Sequence, residues 1–206
     1  MKSPKFLYFD LGKVLIDFSL DRMFQQIADA AGIDAAAART AILNSGLMRE
    51  HESGRVSDRQ YYEAFCTATN TRPSFDALTR AATEIFEQKT SMLPLVAQLH
   101  QAGYPLGILS NTCDIHWEYC RQHYRIVADG FDVYALSYRM GAVKPEAAIF
   151  HAAAELAGVL PEDIFFVDDI AEHVVGAKAV GFDAVQYTTT FALAEELRNR
   201  GVRFNY

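Results

Sequence analysis

Three short apolar runs end in side chains able to do chemistry. Asp10 closes "KFLYFD", Ser110 closes "PLGILS", and Asp168 with Asp169 closes "IFFVDD". Lys144 stands just ahead of a helical stretch that follows a further run, "DVYALS". In open parallel sheets ligands bind beyond the carboxyl ends of the strands, near the point where strand order reverses. Residues so placed would meet at one edge. Several carboxylates cannot share a small site without a cation, because like charges raise one another's pKa. A hard divalent ion with few protein ligands, next to a phosphate, would be Mg²⁺. With the metal and Lys144 neutralising phosphoryl oxygens, a free carboxylate can attack phosphorus in line and form an aspartyl-phosphate.

The elements that must hold these residues follow from pattern. The four runs named, with "DAVQY", are short, continuous and apolar, as strands buried on both faces of a parallel sheet are. Between them lie helical spacings: Leu95 and Leu99 ahead of Gly103; Ile149, Ala153 and Leu156 after Pro145; Val174, Ala177 and Val180 ahead of Gly181. Such alternation predicts an α/β fold, a doubly wound parallel sheet with right-handed crossovers. From about Ser19 to Thr90 the alternation stops and no strand is expected. Met23, Ile27, Ala30 and Ala31 mark one helix there, and Phe75, Leu78, Ala82, Ile85 and Phe86 another. Ser57 and Gln60 have capping-box spacing before "YYEAFC". The expected division is a core of residues 1–18 and 91–206 with an inserted α-helical cap at 19–90.

Bulk properties narrow the partners. The chain has 206 residues, half of them apolar, and a formal net charge of −7. It carries no basic stripe, which argues against nucleic acid. Its apolar runs fall far short of the roughly 20 residues that span a bilayer, which argues against a membrane. The apolar run near the N-terminus is too short for a signal-peptide core. Three scattered cysteines, Cys66, Cys113 and Cys120, fit packed thiols in a reducing cytoplasm better than disulfides or a zinc site.

In order and spacing, "FDLGKVL", "LGILSNT", "GAVKPE" and "FFVDD" resemble the four motifs of the haloacid dehalogenase-like superfamily, a match running from about Lys5 to Tyr187. The resemblance implies a core sheet of strand order 5-4-1-2-3, with the helical insertion as the cap. It makes Asp10 the nucleophile and Asp168 a Mg²⁺ ligand, with Asp169 a metal or outer-sphere acid. Ser110 and the Asn111 amide would bind phosphoryl oxygens, and Lys144 would stabilise charge on the nucleophile and the transferring group. The metal contact two residues after the nucleophile is a backbone carbonyl in this family, here that of Gly12. The family's phosphatases usually carry a second Asp at that position, which protonates the leaving group and then activates water. Gly12 removes that group, a contribution of about 10²–10⁴-fold. The "DLG-x-V" form resembles a branch that includes bacterial α-glucose-1-phosphate phosphatases.

The implied activity is Mg²⁺-dependent hydrolysis of a small phosphorylated metabolite, with a hexose 1-phosphate as the leading substrate. One alternative is a metal-independent 2-haloacid dehalogenase, whose chemistry needs no leaving-group acid. Another is a binding or regulatory protein that kept the fold and lost turnover. Asp17 and Asp114 are candidate surrogates for the missing acid, although surface acids are common. In the cap, "REHESGRVS" offers Arg49, His51, Glu52 and Arg55 to a substrate, against the plainer reading of a solvated helix end. His173 stands where the family often has Asn. Trp117 and Tyr119 read as packing.

Overall fold

The computed structural model describes residues 3–43 and 46–205. Its strands in chain order are β1 (Phe6–Phe9), β2 (Ile16–Phe18), β3 (Phe86–Gln88), β4 (Leu106–Ser110), β5 (Val133–Leu136), β6 (Ile164–Asp168) and β7 (Asp183–Gln186). Five form one parallel sheet in the order β5-β4-β1-β6-β7. Counting only these five, the order is the expected 5-4-1-2-3 read from the other edge. β1 lies at the centre, with Phe9 level with Ile108 on one side and Val167 on the other.

Alternation along the strands feeds two apolar layers. Leu7, Phe9, Ile108, Phe165 and Val167 face one side, and Phe6, Tyr8, Leu109, Ile164 and Phe166 face the other. Both layers are covered, so the strands are apolar throughout, as parallel sheets require. Between β2 and β3 in the chain come α1 (Leu20–Ala31), α2 (Ala35–Leu43), α3 (Leu47–Glu52), α4 (Asp58–Thr69) and α5 (Phe75–Thr83). After β3 come α6 (Met92–Gln101), α7 (Asp114–His123), α8 (Arg125–Asp129), α9 (Ser137–Met140), α10 (Ala147–Ala157), α11 (Ala171–Ala179) and α12 (Thr190–Asn199). Helices α6, α7, α8 and α12 cover the first layer, and α10 and α11 the second.

Helices α1 to α5 share an apolar cluster of their own, built on Met23, Phe24, Ile27, Tyr62, Phe65 and Leu78. The capping box at Ser57 and Gln60 forms in both directions at the start of α4. β2 and β3 pair as an antiparallel two-stranded ribbon where the chain leaves and rejoins the sheet.

Three expectations need correction. The stretch from Ser19 to Thr90 does contain a strand, β3. Helix α5 ends at Thr83, so Ile85 and Phe86 lie beyond it. Phe86 instead stands opposite Phe18 in the ribbon, their rings 6.2 Å apart. Helical spacing of apolar residues continues across a helix end whenever the next element also faces the core, and here it does. Leu156, expected on the buried face of α10, is 53% exposed, whereas Ile149 and Ala153 are buried.

Candidate active site

The strand ends converge as the topology requires. Asp10 follows β1 directly and continues its ladder, its N–H donating to the Val167 carbonyl at 2.9 Å. Ser110 ends β4 and Asp168 ends β6, the two strands flanking β1. Lys144 reaches between them. Its ammonium donates to Asp10 Oδ1 at 2.9 Å, Asp168 Oδ2 at 2.6 Å and the Leu109 carbonyl at 3.0 Å. All three of its protons are used, and the group is fully buried.

The electrostatics of this cluster are those of crowded anions around one cation. Burial pushes the Asp10 carboxyl up to about 7; Lys144 pulls it down, while Asp168 and Asp169 add repulsion. Burial also pushes Asp168 up, but Lys144 and His173 outweigh it and hold the group below its ordinary value. Burial disfavours the Lys144 ammonium, yet Asp10 and Asp168 keep its pKa raised. Asp169 is raised by burial and by Asp168. One oxygen from each of Asp10, Asp168 and Asp169 lies within 4.8 Å of the others. Three acidic oxygens so close, with a single ammonium to balance them, suit a hard divalent cation.

Asp168 is held further by the Ile170 N–H at 2.8 Å and by His173 Nδ1, 3.0 Å from Oδ2. His173 thus touches the cluster from the first turn of α11. Asn111 also has a structural use. Its side chain clamps the Lys144 main chain, Nδ2 donating to the carbonyl at 3.0 Å and Oδ1 accepting from the N–H at 2.7 Å. The clamp uses one of the two Nδ2 protons. Ser110 is buried and lines the cavity beside Asp10.

Gly12 lines the same cavity, and its carbonyl accepts the Val14 N–H at 2.7 Å, leaving a second lone pair. A Cβ at residue 12 would lie 2.9 Å from Phe18 Cε1. A side chain at residue 12 would therefore press on the edge of that ring. Lys13 pins that ring: its ammonium bonds the Phe18 carbonyl and stands 4.7 Å from the ring centroid. No pattern of residue types announced this, because it depends on how the loop after β1 folds back.

The cavity holds about 330 Å³. Its floor is Asp10, Ser110 and Lys144, and much of its wall is apolar, including Leu20, Met23, Ile85 and Phe86. Of the four cap residues singled out, three are engaged elsewhere. His51 is buried, with Nε2 2.6 Å from Asp58 Oδ1 and its ring stacked on Tyr61. Arg49 pairs with Glu146, and Arg55 pairs with Glu50 at 3.0 Å. Glu52 alone of the four lines the cavity. Asp17 pairs with Lys89 at 3.0 Å, and Asp114 interacts with Tyr138; neither lines the cavity. Trp117 is packed in the sheet's first apolar layer. His116, which pattern reading passed over, lines the cavity from α7, and burial lowers its pKa to about 4.

A family profile for haloacid dehalogenase-like hydrolases matches residues 5–181. The chain belongs to the haloacid dehalogenase-like hydrolases. This hydrolase is 25% identical, over 189 residues, to a D-ribitol-5-phosphate phosphatase of Bacteroides thetaiotaomicron, a match covering 88% of this chain and 91% of that one. It is 31% identical to a phosphatase of Mycobacterium tuberculosis over 91 residues, 44% of this chain and 42% of the other. Among solved structures, a family enzyme of Bacteroides thetaiotaomicron in complex with magnesium and inorganic phosphate superposes with a TM-score of 0.82. It is 27% identical, and the match covers 91% of this hydrolase and 96% of that chain.

Proposed function

We propose that this hydrolase is a Mg²⁺-dependent phosphatase of small phosphorylated metabolites that works through an aspartyl-phosphate at Asp10. The observation that carries the reading is the shared ammonium: Lys144 bridges Asp10 and Asp168, and Asp169 closes a three-carboxylate cluster. Asp10, Asp168 and Asp169, with the Gly12 carbonyl, would hold the ion. When bound, Mg²⁺ supplies charge neutralisation to the phosphoryl oxygens and to the carboxylates. Lys144 keeps Asp10 oriented and stabilises charge in the transferring group. Ser110 and the Asn111 main chain donate to the phosphoryl oxygens. Asp10 attacks phosphorus, and the alcohol leaves.

Sugar and polyol phosphates are the leading substrates. The relative from Bacteroides thetaiotaomicron bears the name of a polyol-phosphate phosphatase, and the Gly12 form of the first motif resembles that of glucose-1-phosphate phosphatases. A dehalogenase would use Asp10 on carbon and needs no metal, so an Asp168–Asp169 pair built around a cation speaks against it. The test is a screen of sugar phosphates, polyol phosphates, acyl phosphates and 2-haloacids, with Mg²⁺ and with chelator. Phosphate release that stops with chelator and with Asp10→Asn is expected. Halide release that survives chelator would overturn the proposal.

A further inference from the structure

Residue 12 has no side chain, and the edge of the Phe18 ring would lie 2.9 Å from a Cβ there. Hydrolysis through phospho-Asp10 still requires two proton transfers: one to the departing oxygen and one from the attacking water. The cavity supplies one acidic side chain outside the three-carboxylate cluster, that of Glu52 at the end of α3.

On the phosphatase reading above, we propose that the Glu52 carboxyl, delivered by the inserted helices, is the general acid and base of this site. Protonated Glu52 gives its proton to the ester oxygen as the P–O bond breaks and the Asp10 Oδ–P bond forms. The Glu52 carboxylate then takes a proton from water as that water's oxygen bonds phosphorus and the Asp10 Oδ–P bond breaks. Inorganic phosphate leaves, and Glu52 is again protonated.

Three observations carry the assignment. The carboxylate of Glu52 has no hydrogen-bond or ion-pair partner among the described residues, although neighbouring charged groups of α3 and α4 are paired: Arg49 with Glu146, Glu50 with Arg55, His51 with Asp58. A half-buried acid left unpaired beside a cavity is costly unless the cavity's occupant is its partner. Its main chain is fixed to the floor of the site. The Ser137 hydroxyl lies 2.6 Å from the Glu52 carbonyl and 3.0 Å from that of Thr112, and accepts the Thr112 N–H at 2.9 Å. Thr112 is two residues past Ser110. The chain then turns at Gly54, whose φ is +72° and where a Cβ would stand 2.1 Å from the Tyr138 carbonyl; only glycine permits so close an approach.

The surroundings favour a group that can hold a proton. Burial raises the Glu52 pKa, opposed by His51, Lys144 and His173; Tyr61 and Cys113 also face it. His116 lines the same cavity, but its burial-lowered pKa of about 4 makes it a poor acid near neutrality.

The test compares Glu52→Gln, Glu52→Asp and His116→Asn in the full chain with Mg²⁺, using an alkyl phosphate and p-nitrophenyl phosphate. First-turnover rates are read by rapid quench and steady-state rates by phosphate release. In Glu52→Gln the first turnover of the alkyl ester should fall by about 10²-fold or more, while that of the nitrophenyl ester, whose leaving group needs no proton, is retained. Steady-state release should fall for both, with phospho-Asp10 accumulating. Glu52→Asp should restore part of the loss. Equal loss of first turnover on both esters, no loss on either, or the same leaving-group dependence in His116→Asn would overturn the role of Glu52. A wild type that releases phosphate from neither ester, nor from any sugar or polyol phosphate, would instead overturn the phosphatase reading.

Discussion

Phe18 decides what residue 12 can be. A Cβ there would press on Cε1 of a ring held by Lys13 and faced by Phe86. Restoring the family's acid by Gly12→Asp is therefore an overpacking change, expected to cost about 1–3 kcal/mol. Its urea midpoint should drop, and Phe18→Ala in the same chain should recover part of the loss despite the cavity it opens. If Gly12→Asp alone is as stable as wild type, the ring does not resist a side chain there. The meeting of Asp10, Ser110 and Asp168 at neighbouring strand ends was legible in the sequence because a buried strand is an unbroken apolar run, and the first polar residue after it marks its carboxyl end. Phe18 was not, because its ring is placed by pairing with Phe86 far along the chain; Glu52 stood among four cap candidates, and only packing separates it from the other three. The pairing of His51 with Asp58, seven residues on, depends on how the turn at Gly54 folds the chain back.

Helix α7 carries His116 beneath the inserted helices, with its ring 5.2 Å from that of Phe86 on β3. Burial lowers its pKa from 6.5 to about 4, so the unfolded chain binds a proton through that interval while the folded chain does not. Stability present above about pH 6.5 should therefore be lost as pH falls toward 4. Urea unfolding in that window should show a shallower pH dependence in His116→Asn than in wild type. An unchanged slope would mean that His116 takes up its proton as easily folded as unfolded. At this scale the parallel strands and helices α1, α4, α5, α6, α10 and α11 followed from apolar period, a capping box and glycine stops. β3 did not, since three residues of alternation are too few to register against a helical run that continues into them.

The whole molecule carries a net charge of −7 and gathers three acids at its sheet edge, so Lys144 matters to folding as well as to the site. Removing one partner of a buried ion pair leaves the other charge uncompensated, and Lys144→Met should cost about 3–5 kcal/mol. Chelating Mg²⁺ should cost less. At about 100-fold above its Kd, a ligand adds roughly 2.7 kcal/mol of stability by mass action. Chelated wild type should thus stay folded by circular dichroism and lose only activity, while Lys144→Met should unfold at lower urea with or without the metal. Unfolding of the wild type by chelator alone would show that the metal, not the lysine, holds the strand ends together. The fold class was readable from the order of the elements. The balance between these two cations was not, because it depends on distances of a few ångströms.

The Ser137 hydroxyl joins Glu52 in one segment to Thr112 in another, and Gly54 lies against Tyr138 beside it. The ribbon of β2 and β3 tethers the inserted helices on one side, and this seam fastens them on the other. A displacement of the inserted helices away from Ser137 would break this hydrogen bond and would carry the proposed acid away from Asp10, so the same contact that joins two segments also sets the reach of Glu52.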